Sequence, residues 1–474
     1  MPGLGIDDRD QYRMTYPELL ASLPPEWPHE LQPSNREALL ASGVTLVVLD
    51  DDPTGTQTVH DVPVLTCWDV DLLEQALRQQ PPLLFLLTNS RSLTEEQTQT
   101  LHREIAQELS AAAQAADCKV ELISRSDSTL RGHYPLETDT LAEHWHEPED
   151  LTLVMPFFLE GGRLTVDGQH YVREGEELIP AHETPFAQDP AFAFSHSYLP
   201  DWVEEKTDGR VQAAEVILIS IETIRKEGPE GVARLLREAP AGSVCITDAV
   251  SDRDAEVVAA GMEAAGRTVM ARTAASYVRA RAGLPKRELL SCDDLDGEGS
   301  GGLIMVGSHV PKTTRQLEVL QNQYPDLVSI ELPVADVLAD AEATLESVSL
   351  QLNAALEADQ EVVLFTSREL IQAETSEANL DISVRVSGAL VRMVQSIGQR
   401  PRFIVSKGGI TSSDIATGGL EVKTAEVAGS ILPGVPVWRL GEEARFPGMH
   451  YVIFPGNVGD ENAVADAVSK LSKK

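Results

Sequence analysis

Short hydrophobic runs alternate along this chain with longer segments of helical period. In the first half VTLVVL (44–49), PPLLFLLTNSR (81–91), CKVELISR (118–125) and LTLVMPFF (151–158) read as strands. LTEEQTQTLHREIAQELSAAAQAA (93–116) reads as a helix among them. The alternation resumes with AAEVILISI (213–221), EGVARLLREA (230–239), GSVCITDA (242–249) and DAEVVAAGMEAAG (254–266). In the second half LIMVGS, LVSIEL, EVVLFTS, RFIVSK and YVIFPG predict strands, with helices such as TLESVSLQLNAALEA and ISVRVSGALVRMVQSIG between them. Strands that are apolar throughout, separated by amphipathic helices, are the pattern of a parallel sheet covered on both faces. The expected fold class is therefore α/β.

A chain of 474 residues exceeds what one hydrophobic core usually supports, so two domains are expected, each a largely parallel sheet covered by helices. Residues 1–40 are Pro-rich and weakly periodic, the pattern of an N-terminal extension. The stretch PKRELLSCDDLDGEGSGG is polar and Gly-rich, which predicts a linker over 286–302 between domains at 41–285 and 303–474. From about 156 to 210 periodicity fades into Gly, Pro, His and aromatic residues, the signature of a long functional loop or lid.

Composition narrows the function. The formal net charge of −37 excludes the usual electrostatics of a nucleic-acid or anionic-membrane partner, since both need clustered Lys and Arg. The four cysteines, Cys67, Cys118, Cys245 and Cys292, form no Cys-x-x-Cys pair, which fits a reduced compartment. The first residues lack a basic and an apolar signal region, and no apolar stretch reaches the roughly 20 residues of a membrane span. A cytoplasmic location is expected.

Candidate chemistry gathers at strand ends. Asp50, Asp51 and Asp52 crowd together where the first strand meets a Pro-Thr-Gly turn, which admits a solvated loop, a metal site or a site that manages protons. Asn89, Ser90 and Arg91 close another strand; Arg125, Asp127, Ser128, Thr129, Arg131 and Glu137 follow a third. Arginines beside hydroxyls and carboxylates suit a small polyhydroxylated anion, because a guanidinium forks a carboxylate while Asp and Asn accept from hydroxyls. In the second half, RFIVSKGGITSSDIA runs a strand into Lys407, Gly408, Gly409, Thr411, Ser412 and Ser413. Glycines let backbone amides approach a phosphate, and hydroxyls add donors. Gly307, Ser308 and Thr313, and Gly456, Asn457 and Gly459, close two further strands, so three Gly-polar ends could converge on one nucleotide.

Other motifs carry less. GEGSGG (297–302) spells a dinucleotide fingerprint but precedes a strand instead of following one, which removes its mechanism. His144 and His146 lack further ligands at metal spacing, and no Gly-x-Ser-x-Gly elbow is present.

Taken in order, DDPTGT, NSRS, SDSTLRG, YPLE, GGRLTVDGQHYV, ETPFAQDP, KTTRQL, KGGITSSDIA, ILPGVPVW and PGNVGD resemble the four-carbon acid sugar kinase family over about residues 44–460. The resemblance implies a sugar-acid-binding first domain, an ATP-binding second domain and an active site in the inter-domain cleft. It marks Asp51 and Asp52 as catalytic and substrate-binding, with Arg91, Asp127, Arg131 and Arg163 on the substrate side. It marks Ser308, Lys407, Gly408, Gly409, Ile410, Thr411 and Gly456 on the nucleotide side. ATP and Mg²⁺ are the implied cofactors, with the metal ligands undetermined; the partners are a sugar acid and ATP, with no nucleic acid or membrane, and a homo-oligomer is left open.

The chain also departs from the family pattern. Ile410 replaces a frequent carboxylate, Phe454–Gly459 replaces a frequent Lys-Ser-Gly-Asn-Phe-Gly, and Arg125 stands where a lysine is common. The expected function is ATP-dependent phosphorylation of a small sugar acid, with Asp52 or Asp51 accepting the hydroxyl proton and a neighbouring carboxylate raising its basicity. Arg91 and Arg131 would hold the acid's carboxylate. The alternatives are a non-catalytic sugar-acid-binding regulator and a metal-dependent lyase or hydrolase.

Overall fold

The computed structural model describes residues 14–145, 150–308, 310–368, 371, 376–456 and 458–472; His146 and Asn457 lie outside them. The chain divides into two compact units. The first holds residues up to Asp51, Val70–Pro82 and Leu93–Pro285; the second holds Asp52–Asp69, Leu83–Ser92 and Lys286 onward.

The sheet of the first unit runs Val44–Asp50, Lys119–Arg125, Val269–Thr273, Leu151–Met155, Ser243–Thr247 and Ile217–Ile219 in spatial order, every pair parallel. Leu46, Val47, Val48, Leu122, Ile123 and Ala271 are fully buried, as an apolar strand covered on both faces requires. The helix Glu95–Ala116 is set by its ends. Thr94 caps its first turn in a capping box with Gln97, and Asp117 closes it in a left-handed conformation. Its inward face carries His102, Ile105, Ala106, Leu109 and Ala113, at helical spacing.

In the second unit Val328–Leu332, Val362–Thr366, Leu303–Val306, Phe403–Lys407 and His450–Phe454 form a parallel run. Antiparallel Val435–Leu440 and Thr424–Leu432 extend it, and Val62–Leu65 and Leu83–Leu87 complete the sheet. The core beneath the parallel run joins Ile304, Val306, Val363, Phe403, Val405, Val452 and Phe454 to Val464 and Val468 of the last helix, Ala463–Leu471.

Val62–Leu65 hydrogen-bonds to Thr424–Val427, a pairing that draws an early segment into the second unit. Residues 286–302 are held on the second unit as well: Leu290 and Leu295 are buried in its core, and Leu290 N donates to Ser430 O. Among the described residues no helix is long and apolar enough to cross a membrane.

The stretch 156–210 is not one long loop. It folds into a three-stranded antiparallel sheet, Arg163–Val166, Gln169–Glu174 and Glu177–Pro180, followed by 3₁₀ turns and the helix Leu199–Lys206. Asp167 and Gly168 form the first hairpin turn with φ of 50° and 76°, the two left-handed residues a tight hairpin wants. Asp248 fastens this turn from below, its buried carboxylate accepting from Asp167 N, Gly168 N and Ile221 N at 2.9 Å each. A Cβ on Gly168 would fall 2.8 Å from the Tyr198 ring. Gly168→Ala should therefore destabilise the protein by about 1–3 kcal/mol, read as a lowered urea midpoint at unchanged m-value.

Candidate functional site

In the first unit the site grows from the end of Val44–Asp50. Asp50 and Asp51 are buried, at 1% and 2% exposure, so their charges need compensation. Arg125, the register partner of Asp50, supplies it: its Nη1 lies 3.1 Å from Asp50 Oδ1 and 3.7 Å from Asp51 Oδ1. Ser126 Oγ donates to Asp51 Oδ2 at 2.7 Å. A shared guanidinium thus answers the crowding of these two carboxylates.

The following loop carries Arg131 and Asp127. Arg131 Nε donates to Asp127 Oδ2 at 2.7 Å, and its Nη1 meets Asp189 Oδ2 at 3.3 Å. The guanidinium carbons of Arg131 and Arg163 both lie over the Phe186 ring, at 5.1 and 5.7 Å from its centroid. Arg163 has no carboxylate within salt-bridge distance among the described residues; its Nη1 donates to Gly161 O, and its buried Nε has no hydrogen-bond partner. Burial pulls its pKa below the ordinary arginine value, with Asp127 opposing.

Arg272 lies fully buried beneath this loop, its guanidinium over the stacked rings of Tyr134 and Trp202. It donates through Nη2 to Ser126 Oγ at 3.0 Å and Arg131 O at 2.9 Å. Gly132, at φ 107°, leaves room for that contact: a Cβ there would fall 2.6 Å from Ser126 Oγ. His170 braces the loop from the hairpin. Its buried ring donates through Nε2 to Ser128 O at 2.8 Å and accepts at Nδ1 from Thr165 Oγ1 at 2.9 Å.

The second unit brings three strand ends together. Val306, Lys407 and Phe454 are register partners on adjacent parallel strands, so Gly307–Ser308, Gly408–Gly409 and Pro455–Gly456 emerge side by side. Gly307 packs so closely on Thr411 that a Cβ would meet its Oγ1 at 2.4 Å. Thr313 Oγ1 donates to Gly456 O at 3.1 Å and lies 3.4 Å from Ser308 Oγ. Ser412 Oγ closes the glycine turn onto Gly408 O at 2.7 Å.

Asp52 and Arg91 belong to this second unit, beside the glycine turn. The Asp52 carboxylate caps the turn Pro53–Thr56, taking Thr54 N at 2.8 Å and Thr54 Oγ1 at 2.5 Å, and faces Arg91 Nη1 at 3.4 Å. A Cβ on Gly409 would fall 3.0 Å from Asp52 Oδ2, so the carboxylate lies directly on the glycine backbone.

One nucleotide-side expectation changes. Lys407 was expected to reach phosphate, yet it is 0% exposed, and its ammonium donates to Pro455 O at 2.5 Å and Gly456 O at 3.2 Å over the Phe454 ring. Burial pulls its pKa down to about 7, with Lys312 adding like-charge repulsion. It acts as a tie between strand ends. Ile410 is 59% exposed, an apolar side chain in solvent at the start of the short helix Gly409–Asp414.

Sequence reasoning missed His170, Arg272 and Arg368. Only Arg272 had a plain signal, a charged residue inside the apolar strand VMART.

The geometry describes an α/β protein with Arg131, Arg163 and Arg272 gathered around one loop in one unit and three glycine-bearing strand ends side by side in the other. Comparison with family models matches a sugar-binding N-terminal domain to residues 46–281 and a nucleotide-binding C-terminal domain to residues 303–464. The chain belongs to the family defined by this pair of domains, the four-carbon acid sugar kinase architecture.

Among solved structures, a Salmonella typhimurium LT2 protein described provisionally as a tRNA synthase aligns with a TM-score of 0.66 at 17% identity, over 89% of this chain and 98% of its own. Haemophilus influenzae protein HI1011, of the DUF1537 family, aligns at 0.61 and 17%, over 90% and 100%. These likenesses concern the fold. A Bordetella bronchiseptica DUF1537 protein, a domain-swapped dimer with bound citrate, is 20% identical over 90% and 98%, at a TM-score of 0.38 too low to carry an argument. A search of curated proteins finds no match.

The His170 brace predicts a pH dependence. Burial, more than the opposing bond to Ser128 O, lowers the ring's pKa to about 4, whereas the unfolded chain titrates near the ordinary histidine value of 6.5. The unfolded state therefore binds more protons between these values, so the stability held by neutral His170 is complete above pH 6.5 and is lost as pH falls towards 4. Urea midpoints across that window should fall more steeply for the unaltered protein than for His170→Gln, by a slope equivalent to about one proton.

Proposed function

We propose that this protein is a kinase that transfers the terminal phosphoryl group of ATP to a hydroxyl of a small polyhydroxylated carboxylic acid, a four-carbon acid before others. The observation that carries this reading is the place of Asp52, a half-buried carboxylate lying on Gly409 in the same unit as the three glycine-bearing strand ends. A carboxylate there is suited to accept the proton of an attacking hydroxyl, and Arg91 and Thr54 hold its orientation.

Phosphoryl transfer depends on positioning and charge stabilisation more than on covalent help from the protein. Backbone groups of Ser308, Gly408, Gly409, Thr411 and Gly456 would cradle the phosphates, with Lys407 fixing the Gly456 end. Arg163, which has no carboxylate within salt-bridge distance among the described residues, would take the substrate's carboxylate, while Arg131, held by Asp127 and Asp189, shapes the subsite wall. Asp127 and Asp51 would accept from substrate hydroxyls. Mg²⁺ usually keeps several waters and binds through substrate phosphates, so it would enter this site with the ATP it accompanies.

Purified protein with ATP and Mg²⁺ should release ADP only when a sugar acid is added, and product mass should show one added phosphoryl group. No turnover across tetronates, pentonates and their oxo-acids would overturn the assignment. Asp52→Asn should lower kcat by about 10²- to 10⁴-fold with ATP affinity nearly unchanged. Arg163→Gln should instead raise KM for the acid by about tenfold or more, the cost of one charge-assisted contact. Loss of ATP binding in Asp52→Asn would make the aspartate a structural cap of its turn.

A further inference from the structure

Arg368 follows the strand Val362–Thr366, the parallel neighbour of Leu303–Val306. Its Nη2 donates to Ser308 O at 2.6 Å and to Thr314 Oγ1 at 3.0 Å, and Nε reaches the same hydroxyl at 3.3 Å. Thr366 Oγ1, two residues earlier, lies 3.4 Å from Gly307 O. The arginine is thus fastened to the strand end that carries Ser308, which Thr313 links onward to Gly456.

What this guanidinium lacks is an anion. Among the described residues no carboxylate lies within salt-bridge distance of it, in a chain whose net charge is −37. Its Nη1 is closed off from solvent without any hydrogen-bond partner, and burial depresses its pKa. A half-buried cation with an orphan donor is costly, and such groups in native proteins call for a compensating ion or ligand. Lys407, the buried cation of this unit, is bound to carbonyls and brings no negative charge.

We propose that Arg368 is the counter-charge for the polyphosphate of a nucleoside di- or triphosphate bound at these strand ends. The inference rests on the nucleotide reading above and goes beyond it by assigning the recognition of phosphate charge to a residue outside the glycine turns. Because the guanidinium is tied to Ser308 O, it is already ordered before ligand arrives, and little side-chain entropy remains to be lost on binding. Recognition should therefore depend on phosphate number and hardly at all on the nucleoside.

The test is calorimetric titration of the full chain with ATP, ADP, AMP and adenosine, comparing the unaltered protein with Arg368→Ala, Arg368→Lys and Arg368→Gln. Arg392→Ala serves as a control, since Arg392 pairs with Glu342 at the surface. Arg368→Ala is expected to weaken ATP and ADP by about 10- to 100-fold and to leave adenosine within about twofold, with Arg368→Lys between. Arg368→Gln keeps a donor for Ser308 O without the charge, and it should lose as much ATP affinity as Arg368→Ala. Were Arg368→Ala unable to fold, Arg368→Gln alone would decide. Unchanged ATP affinity, or an equal loss for adenosine, would overturn the inference and leave the nucleotide reading intact. Failure of the unaltered protein to bind ATP would overturn that reading itself.

Discussion

In each unit the hydrogen-bond ladder between parallel strands sets the level at which those strands end, and the groups at the strand ends hang from that level. Val306, Lys407 and Phe454 are register partners, and so are Asp50, Arg125 and Thr273. Because parallel strands share one direction, their carboxyl ends open on one edge, where loops meet without long connections. A slip of one residue would turn the apolar strand faces outward, so burial of both faces holds the register. The chemistry at the edge is thereby positioned by a core with no chemistry of its own.

Buried charge is the second recurring element. The first unit places Arg125 between Asp50 and Asp51, and lays Arg272 on Tyr134 and Trp202 beneath the loop of Arg131. The second unit buries Lys407 against two carbonyls and a phenyl ring. Burying ions costs several kcal/mol each unless they are paired and hydrogen-bonded, so such groups are weak evidence for stability and better evidence for fixed geometry. Here each one fastens a strand-end loop: Arg272 holds the Arg131 carbonyl, Arg125 the paired aspartates, Lys407 the Pro455–Gly456 turn.

The departures from the family pattern take on a spatial meaning. Phe454 stands where the resemblance to the family implies a lysine. In this chain the ammonium of its register partner, Lys407, lies 4.2 Å from the centroid of that phenyl ring. Ile410, where a carboxylate is frequent, points into solvent, and the carboxylate that lies on the glycine turn is Asp52, from a segment far earlier in the chain.

The α/β class was legible because apolar runs such as VTLVVL and RFIVSK, closed by Gly and polar residues, have no other economical reading. The convergence of Gly307, Gly408 and Gly456 was legible for the same reason: strand ends in a parallel sheet share an edge. The Asp167–Gly168 hairpin was written plainly in the chain but hidden by its irregular surroundings. Local pattern could not show that Asp50, Asp51 and Asp52, adjacent in sequence, divide between two units, or that Val62–Leu65 would pair with Thr424–Val427. Nor could it show that Lys407 turns inward. Periodicity records which face of an element is buried. Which distant group fills the space above that face, and whether a charge there finds a carbonyl, an acid or a ligand, is decided only when the elements pack.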